Sequence, residues 1–187
     1  RGDEKLVIGW GGNSVVGLRY LKQLREPLLQ LFDKYKNLTF RVISGRDFQF
    51  SGLGVPVDNI RWRLDHEDSV TFDIGVAPLL ESEYDKNKTS FKILQYWAHG
   101  IPVVCAQTAD NFLEDGVNCL IAKKPADWIA TLSLLIEHAD LRKKMGETGR
   151  RLIEKRFALE VKWPQLASLL RTIVNDPAGV EYYREAS

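Results

Sequence analysis

Apolar positions along the chain switch between two periods. Leu6–Trp10 (LVIGW), Leu38–Ser44 (LTFRVIS), Ile60–Trp62, Asp73–Pro78 (DIGVAP), Ile101–Cys105 and Asn118–Ala122 are short apolar or alternating runs. Most are closed by glycine, proline or a polar residue, which predicts buried strands. Between the first two, Val15, Leu18, Leu21, Leu24, Leu28 and Leu31 recur at helical spacing. Pro27 suits the first turn of a second helix there. Helices are also predicted over Ser90–His99, Ala109–Asp115, Asp127–Ala139, Asp140–Phe157 and Val161–Asn175. Arg46–Asp58 reads as a loop, Asp65–Val70 as a helical turn and Asp176–Ser187 as a polar tail.

Short buried strands alternating with helices predict an α/β fold. The expectation is a doubly wound, Rossmann-like parallel sheet of about six strands with helices on both faces. Residues 1–175 are read as one domain and 176–187 as its tail. Ligands of such sheets bind beyond the carboxyl ends of the strands. That directs attention to the loops after Trp10, Trp62 and Pro78.

Composition narrows the options. The 187 residues are 44% hydrophobic and 27% charged, enough to bury a core without metal or disulfide support. A net charge of +1 gives no overall pull towards nucleic acid or anionic lipid, so any anion site must be local. No nucleic-acid partner is expected: Arg142, Lys143, Lys144, Arg150, Arg151, Lys155 and Arg156 interleave with acidic residues as on a solvated helix face. Cys105 and Cys119 show no metal or redox spacing and sit in apolar company, so buried free thiols are expected. His66, His99 and His138 are scattered and show no ligand spacing. No run approaches the roughly 20 apolar residues of a membrane span. A cytoplasmic setting fits, with a peripheral place at the inner face of a membrane open to a longer chain. The start at Arg1, directly before a strand, suggests a piece of a longer protein.

Two stretches could carry chemistry. Gly11-Gly12-Asn13 follows the first strand, where glycines let backbone amides approach an anion in front of a helix. A plain tight turn explains the same residues, and the full dinucleotide fingerprint is missing. The second stretch is Asp85–Val104 (DKNKTSFKILQYWAHGIPVV), which leaves the DIGVAP strand at its carboxyl end. Thr89 and Ser90 are good helix N-caps, Lys88 precedes them, and Lys92 lies one turn inside. Ammonium groups, hydroxyls and unpaired amides in one place suit a diphosphate; a solvated basic loop is the plainer alternative. Gln95, three residues after Lys92, shares its helix face and could bond a sugar hydroxyl. Ile93, Leu94, Tyr96, Trp97 and Ala98 read as core or interdomain surface. Cysteines, histidines and carboxylates form no visible nucleophile–base pair.

FDIGVAPL, the lysine loop, FKILQYWAHGIPVV, EDGVNCLIA, ADW, LRKKMGETGR and EKRFALE together resemble the C-terminal half of retaining GT-B glycosyltransferases, of the group 1 or family 4 type. That family includes sucrose-phosphate synthase-like and many cell-surface polysaccharide enzymes. The resemblance covers about Leu6 to Leu169, and its specificity lies in the order of the motifs.

The resemblance implies the domain that binds a UDP-, GDP- or ADP-sugar, with a glycan or lipid-linked acceptor held by an N-terminal domain absent before Arg1. Lys88 and Lys92, with the amides and hydroxyls of Thr89 and Ser90, would hold the diphosphate and stabilise its charge as the glycosidic bond breaks. Gly11, Gly12 and Asn13 would face the phosphates or sugar, and Trp62 and Arg63 would border the base. No cofactor and no metal are implied. The chain departs from the family at Gln95 and Asn87, where two glutamates eight positions apart are common. By itself the domain is expected to bind donor weakly and transfer nothing. Two alternatives stand beside this reading: a non-catalytic Rossmann-like binding module, and a sugar-nucleotide epimerase of similar plan.

Overall fold

A computed structural model describes residues 5–45, 52–62, 70–80, 82–87 and 91–175. Six strands form one parallel sheet: β1 (Leu6–Gly11), β2 (Leu38–Ser44), β3 (Val57–Arg61), β4 (Ile74–Ala77), β5 (Val103–Cys105) and β6 (Leu120–Ile121). Their order is β3-β2-β1-β4-β5-β6. The chain winds outward from β1 to β3, then returns to the centre and winds the other way. This is the doubly wound sheet expected, and its switch point lies between β1 and β4.

The register shows why the sequence makes two faces. Ile8 pairs with Phe40 and Ile74, Val76 with Val104, and Val104 with Leu120. Side chains alternate along a strand, so these residues all point to one face. There they meet Leu24, Leu28 and Leu31, and Trp128, Leu132 and Leu135. Those two sets come from the 3-10 turn Lys22–Leu24 with α2 (Arg25–Lys34), and from α5 (Pro125–Glu137). Each such buried leucine contributes about 1.5–3 kcal/mol. Pro27 lies buried in the first turn of α2, as its ring favours.

On the opposite face β1 and β4 present a pair of neighbouring glycines, Gly9 and Gly75. A Cβ on Gly9 would fall within the Phe72 ring, and one on Gly75 would stand 2.5 Å from Tyr96 Cδ2. The missing side chains let two aromatic rings lie on the sheet itself. They meet edge to face, centroids 5.5 Å apart. Tyr96 comes from α4 (Phe91–Ala98), so this glycine pair seats α4 at the centre of the sheet.

The remaining helices are α1 (Ser14–Leu21), α3 (Glu83–Lys86), α6 (Ala139–Arg156) and α7 (Leu159–Asn175). The described chain divides into two compact units, Arg1–Arg150 and Arg151–Ser187. Among the described residues no helix is long and apolar enough to cross a membrane. Cys105 and Cys119 are free and buried, and the neighbouring Cys119 thiol, with burial, pushes the Cys105 thiol well above the usual range.

Three local expectations are corrected. Ala109–Asp115 forms no helix. Asn118 is buried inside this loop, its Nδ2 donating to Phe112 O at 2.8 Å while its Oδ1 accepts from Glu114 N at 2.9 Å. Side-chain bonds to the backbone replace the helical ladder there. The third strand begins at Val57, inside the expected loop, because Phe40 through Ser44 offer five successive partners to Val57 through Arg61. The lysine loop, expected from Asp85 to Ser90, starts instead inside a short helix, Glu83–Lys86, capped by Ser82, whose Oγ accepts from Asp85 N. Of the turn expected at Asp65–Val70 only Val70 is described, and the tail Asp176–Ser187 lies outside the described residues.

Candidate functional site

A cavity of about 590 Å³ opens at the carboxyl ends of β1, β2 and β4, at the switch point. Its wall draws on all three loops singled out in the sequence: Gly11 to Asn13, Trp62, and Pro78 with Leu79. Lys92 and Gln95 of α4 line it as well.

The centre of the site is the peptide of Gly11. Gly11 N–H donates to Tyr96 Oη at 2.8 Å. Gly11 C=O accepts from Lys92 Nζ. Lys92 and Tyr96 are four residues apart and therefore on one face of α4. One helix face thus takes both polar groups of one peptide at the end of β1. The next residue, Gly12, donates its N–H to Ile43 O at 2.9 Å, which holds the loop beside β2.

Lys92 has a second support. Its ammonium stands 4.4 Å from the centroid of the Trp10 ring, a cation–π contact. The ring is itself wedged in place. An added Cβ on Gly17 would stand 2.0 Å from Trp10 Cη2, and one on Gly12 only 2.8 Å from Cζ2. A Cβ on Gly12 would also come within 2.6 Å of Lys92 Nζ. Gly12 and Gly17 therefore leave room for an indole under a lysine. Carbonyl oxygen and π-face fix a positive charge at the mouth of the sheet, where it faces the cavity.

Burial pushes the Tyr96 hydroxyl well above the usual tyrosine range, with the Gly11 N–H bond offsetting it in part. It therefore stays neutral and accepts the Gly11 bond at every working pH. Tyr96→Phe should leave Gly11 N–H without that partner, costing about 1–3 kcal/mol. The expected fall in melting temperature is roughly 2–10 °C by calorimetry. An unchanged melting curve would show that the bond contributes nothing.

Around this centre, Trp62 is 49% exposed, its backbone N–H donating to Ser44 O at 2.7 Å. Tyr20 lines the cavity and donates its hydroxyl to buried Asp85 Oδ1 at 2.6 Å. Ser82 Oγ donates to Asp85 Oδ2 at 2.7 Å, so one carboxylate ties α1 to the start of α3. No group of three or more potential metal ligands occurs among the described residues.

The structure thus brings Gly11, Gly12, Asn13, Trp62, Lys92 and Gln95 to one cavity. Arg63, Lys88, Thr89 and Ser90 lie outside the described residues. Trp10, Tyr20 and Tyr96 were not foreseen as parts of the site. The signal for Tyr96 and Phe72 was a glycine in the middle of each central strand, which marks a close approach.

This architecture is the doubly wound, Rossmann-like fold seen in the C-terminal domains of GT-B glycosyltransferases. The chain belongs to the glycosyl transferase-like family, whose model matches residues 29–168. No curated protein matches it in sequence. Solved structures share its fold at low identity. The C-terminal domain of the group 1 glycosyl transferase LpcC from Francisella tularensis is 18% identical, with a TM-score of 0.62, over 83% of this chain and 88% of that one. Anabaena HepE, solved in complex with UDP, is 17% identical, with a TM-score of 0.71, over 90% and 49%. Sucrose-phosphate synthase from Thermosynechococcus elongatus is 14% identical, with a TM-score of 0.67, over 94% and 47%. The chain thus spans about half the length of the latter two.

Proposed function

We propose that this domain binds the nucleoside diphosphate sugar of a retaining glycosyltransferase that builds glycan or cell-surface polysaccharide. The observation that carries the reading is the Lys92 ammonium, fixed between Gly11 C=O and the Trp10 ring at the switch-point cavity. The complex of HepE with UDP supports a diphosphate in such a fold. Lys92 donates to the phosphate oxygens, and Lys88 with the Thr89 and Ser90 hydroxyls completes the anion site. As the anomeric carbon–oxygen bond breaks, negative charge builds on the leaving diphosphate, and these cations stabilise it. Gly11, Gly12 and Asn13 face the phosphates or sugar. Gln95 bonds the ribose, and Trp62 and Arg63 border the base. Lysines serve here where other transferases use a divalent ion. The acceptor, a glycan or lipid-linked saccharide, meets the donor on a further domain.

Thermal unfolding tests this with UDP, GDP and ADP, each with and without chelator. A diphosphate at about 100 times its dissociation constant should add about 2.7 kcal/mol, or roughly 5–10 °C. The gain should survive chelation. If no diphosphate raises the melting temperature at millimolar concentration, the domain is a Rossmann-like module without donor chemistry.

A further inference from the structure

Asp85 is a carboxylate with only 1% of its surface exposed. A charge so placed lowers stability unless hydrogen-bond donors surround it. Its donors come from two elements. Tyr20 Oη of α1 donates to Oδ1 at 2.6 Å, and Ser82 Oγ, at the cap of α3, donates to Oδ2 at 2.7 Å. Arg19 Nη2 donates to Tyr20 Oη and stands 3.8 Å from Asp85 Oδ1, so a cation backs the pair. Apolar side chains of similar size would join α1 and α3 at lower cost. They would not fix one register between the two helices, as paired polar atoms do.

α3 needs such an anchor. It has 4 residues, too few to persist on its own hydrogen bonds. Ser82 and Asp85 therefore decide where it sits. Lys88, Thr89 and Ser90 follow Asp85 directly in the chain, the first of them three residues on. The other end of the tie is α1. Tyr20 comes three residues after Gly17 and shares its helix face. Gly17 leaves room for the Trp10 ring, and that ring carries Lys92. One face of α1 thus supports Lys92 through Trp10 and grips the carboxylate that precedes Lys88. We infer that Asp85 is a positioning residue: held by Tyr20 and Ser82, it sets where the chain leaves α3 for Lys88, and so matches that cation and Lys92 to one diphosphate. The inference rests on the proposed function, because it acts through the diphosphate site described there. Asp85 itself is buried away from the ligand, and its two oxygens are occupied by Tyr20 and Ser82.

Calorimetric titration of the full chain with UDP, GDP and ADP, and with the bare nucleosides, tests this. Tyr20→Phe keeps the ring on the cavity wall and removes the bond to Asp85. It should weaken the tightest diphosphate roughly three- to ten-fold and leave the nucleoside as it was. The decisive comparison is between two backgrounds. With Lys88→Met present, Tyr20→Phe should lose most of its effect, because the cation it places is gone. With Lys92→Met present, the full factor should return, since the two changes then act independently. A tie that only stabilises the fold would act alike in both backgrounds. Ser82→Ala removes the other donor without touching the cavity wall and should follow the same pattern, which keeps the test decisive if Tyr20→Phe folds poorly. In the ligand-free protein, amide hydrogen exchange across Glu83–Asn87 should quicken roughly ten-fold in either variant. If exchange there matches the parent, if both variants bind diphosphate as the parent does, or if they weaken it equally in the two backgrounds, the inference is wrong and the proposed function stands. If the parent binds no diphosphate at all, both fall together.

Discussion

Lys92→Met is expected to weaken binding of a nucleoside diphosphate roughly ten- to hundred-fold, while binding of the bare nucleoside stays the same. A hydrogen bond from a charged donor contributes about 1.5–3 kcal/mol, which sets that range. Methionine is chosen because it keeps an unbranched stem over Trp10 and removes only the ammonium. The comparison with nucleoside separates a lost charge from a disturbed pocket. A collapsed site would weaken both ligands alike, whereas a missing phosphate contact weakens only the diphosphate. The same variant should also show a shallower fall in affinity with added salt, since one cation fewer faces the anion. Calorimetric titration with UDP and uridine, at two ionic strengths, measures all of this. Equal affinity of parent and variant for UDP would remove Lys92 from the site.

Much of this site is legible in the sequence. The loops after Trp10, Trp62 and Pro78 were marked because strands alternate with helices, and all three meet at the cavity. Tyr96 reads in the sequence as core or interdomain surface, and it is buried. The sequence could not show that the Tyr96 hydroxyl receives the N–H of Gly11, a residue 85 positions earlier. Periodicity reports which face is buried, not which polar atom meets which across the sheet. Trp10 was hidden for a related reason. As the last large residue of a strand it reads as core, and only the space left by Gly12 and Gly17 makes its ring a platform for Lys92. The error at Ala109–Asp115 has another origin. Its residues suit a helix, but Asn118 captures the backbone at Phe112 and Glu114 from outside the segment. Local propensity yields there to a buried side chain six residues from the segment's middle, at Phe112.

Gly146→Ala should destabilise the protein by about 1–3 kcal/mol, and lower the melting temperature by roughly 2–10 °C, although the new methyl suits a helix better than glycine does. The motif LRKKMGETGR, legible only as a family likeness, has a steric basis. Gly146 and Gly149 lie three apart on one face of α6, against the end of α4. An added Cβ at Gly146 would stand 1.9 Å from the carbonyl oxygen of Gly100, and one at Gly149 would stand 2.3 Å from Trp97 Cδ1. Arg150 donates to Ala98 O in the same contact. The Gly146 obstacle is backbone, which cannot rotate aside, so α6 itself must move. Gly100 offers the control. Its φ of +69° closes α4, with Ile101 N donating to Tyr96 O at 3.0 Å, and no atom lies within 4 Å of an added Cβ. Gly100→Ala should therefore cost about 1–2 kcal/mol from backbone strain alone. The two variants then part in their effect on ligand. Displacing α6 pushes on the short helix that carries Lys92 and Tyr96, so Gly146→Ala should also weaken diphosphate binding, and Gly100→Ala should weaken it less. Denaturant unfolding of both variants, with and without UDP, decides the matter: equal stability of Gly146→Ala and the parent would mean that α6 does not press on Gly100.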